Sequence, residues 1–134
     1  MNILLDTHVA LWALTDHPKL SKEARGFITD PDNTIYYSAV SAWEVLLKHD
    51  SPKNNLTLTP EEFIAYCEDA GFIELNMKPK HIVIASKLDT SGVDKRHSDP
   101  FNRLLLSQAK SENFTFLTQD EKNPLYKEKC VIMI

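Results

Sequence analysis

The amino-acid sequence predicts an α/β fold, a three-layer α/β/α sandwich around a mainly parallel sheet of four to five strands. Three observations lead to this prediction. Short apolar runs alternate with segments of helical apolar spacing, the pattern of strands joined by crossover helices. Some runs, such as residues 2–5, are continuously apolar, as in strands buried on both faces. The 134 residues contain no repeat or linker, so we expect one domain over residues 1–134.

The expected elements follow one another along the whole chain. Strands are predicted from continuous apolar or β-branched and aromatic runs at residues 2–5, 34–37, 72–75, 115–117 and 131–133. Helices are predicted from apolar spacing at residues 9–14, 20–29, 41–49, 60–70, 79–88 and 100–111. Thr59 is the expected N-cap of the fourth helix, Pro60 its first residue, and Gly71 its end.

Composition limits the classes of function. The chain is 43% apolar and 25% charged, with a net charge of −4, so binding of nucleic acid or anionic lipid would need a local basic patch or a metal ion. No apolar run approaches the ~18 residues that cross a bilayer, and no signal-type segment begins the chain. Cys67 and Cys130 are isolated, which favours reduced thiols. We therefore expect a cytoplasmic protein without membrane contact.

Carboxylates follow the predicted strands. Asp6 comes directly after the first strand, Glu44 lies in the first turn of the helix after the second, and Asp120 comes three residues after the fourth. Asp99 begins the helix that leads into that fourth strand, so its placement follows less directly. Because parallel strands end at one edge of a sheet, where ligands bind, we expect these acids to converge there.

Each acid also has an ordinary structural role open to it. These roles are N-caps for Asp6 before Thr7 and for Asp99 before Pro100, a capping box for Ser41 with Glu44, and the cap of a turn at residues 121–123 for Asp120. Ser or Thr would cap as well as Asp. The use of carboxylates at all these positions therefore favours a function that needs them.

A cluster of carboxylates needs a positive partner. Two carboxylates ~4 Å apart repel by about 4 kcal/mol at an effective dielectric of 20, so the cluster must take up protons, attract Lys or Arg, or bind a cation. Hard oxygen ligands select Mg²⁺ or Mn²⁺ over zinc, and the five histidines lack zinc-site spacing. The expected chemistry is hydrolysis of a phosphodiester by an activated water.

Four motifs then point to a known family. The segments "ILLDTHVALW", "SAVSAWEVLLKH", "HSDPFNRLLLSQA" and "FTFLTQD" occur in this order over nearly the whole chain. Together they resemble the PIN-domain ribonucleases, specifically the VapC-like toxins of type II toxin–antitoxin systems. The resemblance implies a PIN-like fold, a Mg²⁺- or Mn²⁺-dependent endoribonuclease with an RNA substrate, a cognate antitoxin, and often a homodimer.

The resemblance also assigns residues. Asp6, Glu44 and Asp120 match its metal-site acids, and the hydroxyls of Thr7, Ser41 and Thr118 would support them. The family's third acid is usually the second Asp of a D-P-F-D-R stretch, where this chain has Asn102 in the stretch from Asp99 to Arg103. An Asn oxygen can bind a metal or water but carries no charge and cannot act as a base.

Asn102 leaves three interpretations open. In the first, Asn102 is natural, and Asp99 and the other acids suffice for a weaker site. In the second, it is an introduced substitution that silences a toxic nuclease. In the third, it marks a lineage that lost catalysis and kept RNA or partner binding. Asp6, Glu44, Asp99, Asn102 and Asp120 all remain candidate catalytic residues, and all of them except Asp99 are candidate metal ligands.

Basic and aromatic residues have two interpretations each. The loop before Asp99 contains three basic residues, which either contact RNA phosphate or are simply solvated: Lys95, Arg96 and His97. Arg103 either contacts RNA phosphate or holds a neighbouring carboxylate. Arg96 and Arg103 are therefore the candidate RNA-binding residues.

Other basic and aromatic residues are expected to be structural. Lys48 and Lys53 are expected to lie on the surface, away from any site. Core packing is expected for Trp12 and Trp43 ahead of RNA stacking.

Three functions compete at this point. The first is an RNA-cleaving toxin, and the second is an inactive PIN module that binds RNA or antitoxin without cleavage, which Asn102 favours. The third is a phospho-receiver domain, which is disfavoured because one acid rather than a pair follows the first strand and no Lys follows the last.

Overall fold

The computed structural model describes residues 1–134, apart from the side chain of His97. Its strands are β1 (Asn2–Leu5), β2 (Thr34–Ser38), β3 (Ile73–Leu75), β4 (Thr115–Thr118) and β5 (Val131–Met133). They form a five-stranded sheet in the order β3-β2-β1-β4-β5, and each neighbouring pair is parallel. This confirms the predicted parallel α/β sheet.

Helices connect the strands in sequence order. They are α1 (Thr7–Leu14), α2 (Lys22–Thr29), α3 (Ala39–Asp50), α4 (Pro60–Asp69), α5 (Pro79–Lys87) and α6 (Pro100–Glu112). Short 3-10 helices occupy Pro52–Asn54, Lys95–His97 and Asn123–Tyr126. Among the described residues, no helix is long and apolar enough to cross a membrane.

Two hydrophobic cores lie on opposite faces of the sheet, because alternate residues of one strand point to opposite faces. Ile3 and Leu5 of β1 pack into one core with residues of α1, α2 and α4. Leu4 packs into the other core with residues of α5 and α6. The helices therefore form a layer on each face, which is the expected α/β/α sandwich.

The tryptophans divide between this core and the surface. Trp12 packs against the first core, as expected. The prediction of core packing is wrong for Trp43, whose side chain is 55% exposed. Trp43 lies on the outward face of α3, where the apolar spacing of the helix did not distinguish a buried position from an exposed one.

Helix boundaries confirm one predicted cap and correct another. The Oγ1 of Thr59 accepts the N–H of Glu62 at 3.2 Å, and the Glu62 carboxylate accepts the N–H of Thr59 at 3.1 Å. The capping box of Ser41 with Glu44, the structural alternative for that acid, does not form, because α3 begins at Ala39 and the Ser38 hydroxyl accepts the N–H of Val40. Glu44 therefore lies in the second turn of α3 rather than the first.

The strand order brings the carboxyl ends of three strands, β2, β1 and β4, next to one another. β1 lies between β2 and β4, with Leu4 beside Tyr36 and Leu5 beside Leu117. Their carboxyl ends therefore stand side by side at one edge of the sheet. The segments that leave these ends carry Asp6, the start of α3, and Asp120.

Candidate active site at the carboxyl edge of the sheet

Asp6 is buried at the centre of this edge. Its backbone N–H extends the sheet by donating to the Leu117 carbonyl at 3.0 Å, and the residue is only 2% exposed. Its Oδ2 accepts from the Thr118 hydroxyl at 2.7 Å and faces the Asn123 amide nitrogen at 3.4 Å. Asp6 is the N-cap residue of α1, yet among the described residues its side chain makes no capping hydrogen bond of the usual kind. A hydrogen bond from the backbone of the adjacent Thr7 lowers its pKa. This local contact does not account for an acid at a buried position, because Ser or Thr would serve there as well.

The environment of Asp6 opposes its negative charge. Burial is the main cause that raises its pKa from 3.8 to about 6, and the hydrogen bond from Thr118 acts in the opposite direction. The charges of Glu44 and Asp120 raise the pKa further. The fold has therefore brought Glu44 and Asp120 close enough to Asp6 for their charges to oppose its ionisation.

Thr118 organises the centre of the site through its hydroxyl. The hydroxyl donates to Asp6 and accepts from the backbone N–H of Asp120 at 3.0 Å and from the Asn123 amide at 2.8 Å. One donated and two accepted hydrogen bonds use the full capacity of a hydroxyl group. This supports the predicted role of Thr118 beside the acids.

Asn123 belongs to this cluster although sequence reasoning did not identify it. The residue is fully buried, and its amide nitrogen contacts Thr118 and Asp6. Its Oδ1 has no hydrogen-bond partner within the described part of the chain. An unpartnered buried acceptor beside a carboxylate is a place where a bound water could donate.

Asp120 combines a structural contact with a place in the cluster. Its Oδ1 accepts the N–H of Lys122 at 2.9 Å, so it caps the turn that follows, as the structural alternative predicted. Its Oδ2 accepts from the amide nitrogen of Asn102 at 2.9 Å. Asn102 thus lies next to Asp120. An Asp in place of Asn102 would put two carboxylates in contact at this position.

Glu44 is held by a lysine. Its side chain is buried, and its Oε2 lies 3.1 Å from the Nζ of Lys48 one turn later on α3. The Nζ also lies 2.9 Å from the Nε2 of His8, whose pKa is lowered by burial and by the Lys48 charge. The prediction that Lys48 stays on the surface is therefore wrong, since this lysine neutralises one of the three acids.

Two hydroxyls tie α1 to α3 beneath the acids. The Thr7 hydroxyl donates to the Ser41 hydroxyl at 2.7 Å, and both residues are fully buried. This contact joins the residue after Asp6 to the helix that carries Glu44. It fits the expected supporting role of Thr7 and Ser41.

The other candidates have structural partners. Asp99 caps α6 by accepting the N–H of Phe101 at 2.9 Å. Arg103 donates twice to the Ala85 carbonyl, at 3.0 and 2.8 Å, near the end of α5. Arg96 lies 3.5 Å from the Asp94 carboxylate in an exposed loop. Their catalytic or RNA-binding roles stay predictions.

The side chain of His97, which was predicted to share the basic edge with Lys95 and Arg96, lies outside the described residues.

The side-chain oxygens at this edge suit a divalent cation that keeps several water ligands, rather than an ion held by protein ligands alone. Among the side chains described, no group of three His, Cys, Asp or Glu residues forms a ready-made metal site. Mg²⁺ needs less than this, because it keeps several waters and takes one or two carboxylates. The Asp6 carboxylate, whose negative charge is opposed by burial and by the charges of Glu44 and Asp120, is the group that such an ion would relieve.

Comparisons with known proteins identify one family and one fold. The PIN domain family profile matches residues 3–128, which include every acid discussed above. The crystal structure of VapBC2 from Rickettsia felis, bound to a DNA fragment from their promoter, is similar with a TM-score of 0.66 and 19% sequence identity. The match covers 100% of this chain and 98% of that chain, and at this identity it shows a shared fold. The comparison with curated protein sequences gave no match.

Proposed function

Because the chain belongs to the PIN-domain family, we propose that it is a metal-dependent endoribonuclease and the toxin of a type II toxin–antitoxin pair. PIN domains are generally nucleases, which gives the reaction class of hydrolysis. The metal, the RNA substrate and the toxin role are the parts that we propose.

The observation that carries this proposal is the buried Asp6 carboxylate. Its pKa is raised to about 6 by burial and by the charges of Glu44 and Asp120. Lys48 offsets Glu44 only, and the amide of Asn102 adds no charge at Asp120. A divalent cation among these oxygens would remove the remaining repulsion.

The residues have separate roles in the proposed site. Asp6, Glu44 and Asp120 would hold Mg²⁺ or Mn²⁺, with the Asn102 carbonyl as a neutral ligand after rotation of its amide. A bound ion would supply an acidified water and neutralise charge on the phosphate. Thr118 fixes the orientation of Asp6 through its hydroxyl.

The partners are proposed on the same basis. The similar solved structure is of VapBC2, bound to promoter DNA, and this supports a cognate antitoxin as a partner of this chain. A homodimer and a cytoplasmic location complete the proposal. Arg96 and Arg103 remain the proposed RNA contacts, with Arg103 limited by its two hydrogen bonds to Ala85.

A second candidate is a PIN module that binds RNA or antitoxin without cleaving. The specific observation in its favour is that two acids already have partners from the chain itself. The Asn102 amide donates to Asp120, and Lys48 pairs with Glu44. Both acids are therefore satisfied in part without an ion.

A cleavage assay separates the two candidates. The protein is incubated with single-stranded RNA in Mg²⁺ or Mn²⁺, with EDTA as the control. We expect cleavage that depends on the metal, is lost in Asp6→Asn and increases in Asn102→Asp. If the unmodified protein binds RNA without cleaving it in either metal, the non-cleaving module is the correct assignment. Cleavage by Asn102→Asp alone would then identify Asn102 as the cause of the lost activity.

A further inference from the structure

A pocket of about 500 Å³ lies between the loop that follows α5 and the first turn of α6. We call it the loop pocket and define it by five of its lining residues, Thr90, Lys95, Asp99, Arg103 and Tyr126. Its volume falls within the ~300–1,000 Å³ typical of sites for small ligands. Asp6, Glu44 and Asp120 do not line it, so the loop pocket is separate from the cluster of acids.

Tyr126 is buried, yet its hydroxyl reaches the loop pocket. The residue packs in the second core and is 3% exposed. Within the described part of the chain the hydroxyl has no hydrogen-bond partner, and it is not enclosed, because Asn123 Oδ1 is the one described side-chain atom that is both enclosed and unpartnered. The partner of such a hydroxyl must come from the pocket that Tyr126 lines, as a water or as a bound ligand.

Two opposite charges act on this hydroxyl. Burial raises the pKa of Tyr126, the charge of Arg103 lowers it, and the charge of Asp99 raises it. The Oδ1 of Asp99 accepts the N–H of Phe101 at 2.9 Å, and its Oδ2 has no partner among the described residues. The hydroxyl therefore lies near a guanidinium that can donate and near a carboxylate oxygen that is free to accept.

Arg103 is fixed in place and still has donors to spare. Its Nε and Nη2 donate to the Ala85 carbonyl at 3.0 and 2.8 Å, which uses two of the five N–H donors of a guanidinium and leaves three. Lys95 adds a second positive charge, and its ammonium group has no hydrogen bond or ion pair among the described residues. Against these two cations the described lining holds one carboxylate, that of Asp99, so the loop pocket carries a net positive charge.

The loop that walls the pocket is docked on the last 3-10 helix at Gly92. A Cβ atom at Gly92 would lie 2.9 Å from the backbone oxygen of Leu125, a distance that a side chain does not tolerate. Glycine is therefore the residue that allows this close approach. The turn before it is closed by the N–H of Ser91, which donates to Asp89 at 2.9 Å. The fold thus builds the pocket before any ligand binds.

We propose that the loop pocket binds a phosphate monoester carried by a ribose, as in a nucleoside 5′-monophosphate. The phosphate would lie against Arg103 and Lys95, because a planar guanidinium and an ammonium group both pair with phosphate oxygens. Asp99 would accept a ribose hydroxyl, as carboxylates do in dinucleotide sites, and Tyr126 would donate to a phosphate oxygen. Each polar group of the defined lining except Thr90 then has a partner on the ligand.

Charge favours a monoester over the diester of an RNA chain. A phosphate monoester carries roughly 1.5 to 2 negative charges at neutral pH, which balances the two cations of the pocket. An internal phosphodiester carries about one. The monoester can come from a free nucleotide or from the 5′ end of an RNA. The inference goes beyond the proposed function, since it requires neither a metal ion nor cleavage.

Calorimetric titration in EDTA tests the proposal. EDTA removes divalent ions that would otherwise hold a phosphate at the cluster of acids. Uridine 5′-monophosphate should bind at least about tenfold more tightly than uridine, which lacks the charged phosphate, and more tightly than inorganic phosphate, which lacks the ribose. Amide chemical shifts map the site independently, and the nucleotide should shift residues 90–103 and 123–127 rather than residues around Asp6 and Glu44.

Matched variants measure the contribution of single groups. Tyr126→Phe removes the hydroxyl and keeps the buried ring, and it should weaken nucleotide binding about fivefold, whereas Tyr66→Phe on α4 should leave it unchanged. Lys95→Gln should weaken binding about tenfold, because it removes a charged donor. Lys129→Gln makes the same change at an exposed lysine outside the loop pocket and should have no effect. Thermal melts establish that the variants are folded, and the shift map of the unmodified protein does not depend on them.

A further titration identifies the source of the monoester. A short single-stranded RNA with a 5′-phosphate is compared in EDTA with the same RNA bearing a 5′-hydroxyl. Tighter binding of the phosphorylated RNA, lost in Tyr126→Phe and Lys95→Gln, supports the proposal and assigns the pocket to an RNA end. Binding of the nucleotide alone, with no difference between the two RNAs, supports it and assigns the pocket to a free nucleotide.

The contrary outcomes are separate from those of the cleavage assay. The inference is wrong if neither the nucleotide nor the 5′-phosphorylated RNA binds, or if uridine or inorganic phosphate binds as tightly as the nucleotide. It is also wrong if both Tyr126→Phe and Lys95→Gln leave binding unchanged, or if the shifted amides surround Asp6 and Glu44. Cleavage of RNA in Mg²⁺ or Mn²⁺ can still occur in each of these cases, so the proposed function stands or fails on its own assay.

Discussion

Asn102→Asp changes the charge of the site without changing its shape. In the present structure the amide of Asn102 donates to the Asp120 carboxylate at 2.9 Å, and Asn102 is 5% exposed. An Asp at this position would place two carboxylates in contact and remove the hydrogen bond. Without a cation, the variant should therefore be less stable than the unmodified protein.

The magnitude follows from Coulomb's law. If the two carboxylates rotate to about 4 Å, their repulsion is about 4 kcal/mol at an effective dielectric of 20. Asp120 is partly exposed, so solvent screening reduces the loss to roughly 2–3 kcal/mol at neutral pH. For a chain of this size, that loss lowers the melting temperature by roughly 6–12 °C.

Thermal unfolding in EDTA and in Mg²⁺ measures this effect. Asn102→Asp should melt earlier than the unmodified protein in EDTA and gain more stability from Mg²⁺, because the ion binds the folded variant more tightly. Asn76→Asp adds the same charge at an exposed position and should change neither value. Equal melting temperatures in EDTA and equal responses to Mg²⁺ in Asn102→Asp and the unmodified protein would refute the reasoning.

Three further predictions concern the contacts around the acids. Thr118→Val removes the three hydrogen bonds of the hydroxyl and should cost about 2–4 kcal/mol in urea unfolding, whereas Thr118→Ser should cost less than half of that. Because burial raises the pKa of Asp6 from 3.8 to about 6 in the folded state, its carboxyl binds a proton more tightly in the folded than in the unfolded protein. The contribution of Asp6 to the stability of the metal-free protein should therefore fall by about 2 kcal/mol as pH rises from about 4 to 6, and Asp6→Asn should lack this fall in urea unfolding across the same pH series. Lys48→Met should destabilise the protein by about 2–3 kcal/mol, because it leaves the Glu44 carboxylate buried and unpaired. Adding Glu44→Gln to this variant should restore most of the lost stability. If the losses of the two single variants simply add in the double variant, the ion pair is contradicted.

The fold could be predicted from the sequence because its signals are local. The continuous apolar run of β1 and the alternation of strands and helices follow from burial, and each can be identified within a few residues. The convergence of Asp6 and Asp120 could also be predicted, since parallel strands fix which ends meet. This needed topology only and no side-chain detail.

The partners of the acids were harder to predict. Lys48 lies four residues after Glu44, a spacing that pairs charges on a helix, so this signal was present and was read as a surface lysine. Asn123 contacts Asp6 across 117 positions of the chain, and nothing near it in sequence indicates that contact. Ser41 was misassigned because α3 begins at Ala39, and the exact start of a helix depends on its cap.

An anomalous-scattering experiment on crystals grown with Mn²⁺ tests the central claim most directly. If the gathered carboxylates bind a dication, a Mn²⁺ peak should lie within about 2.0–2.5 Å of an oxygen of Asp6. The same ion should reach at least one other acid of the cluster, either directly or through a water bound to both. A map that shows Mn²⁺ elsewhere on the protein, with no peak beside Asp6 at saturating concentration, would contradict it.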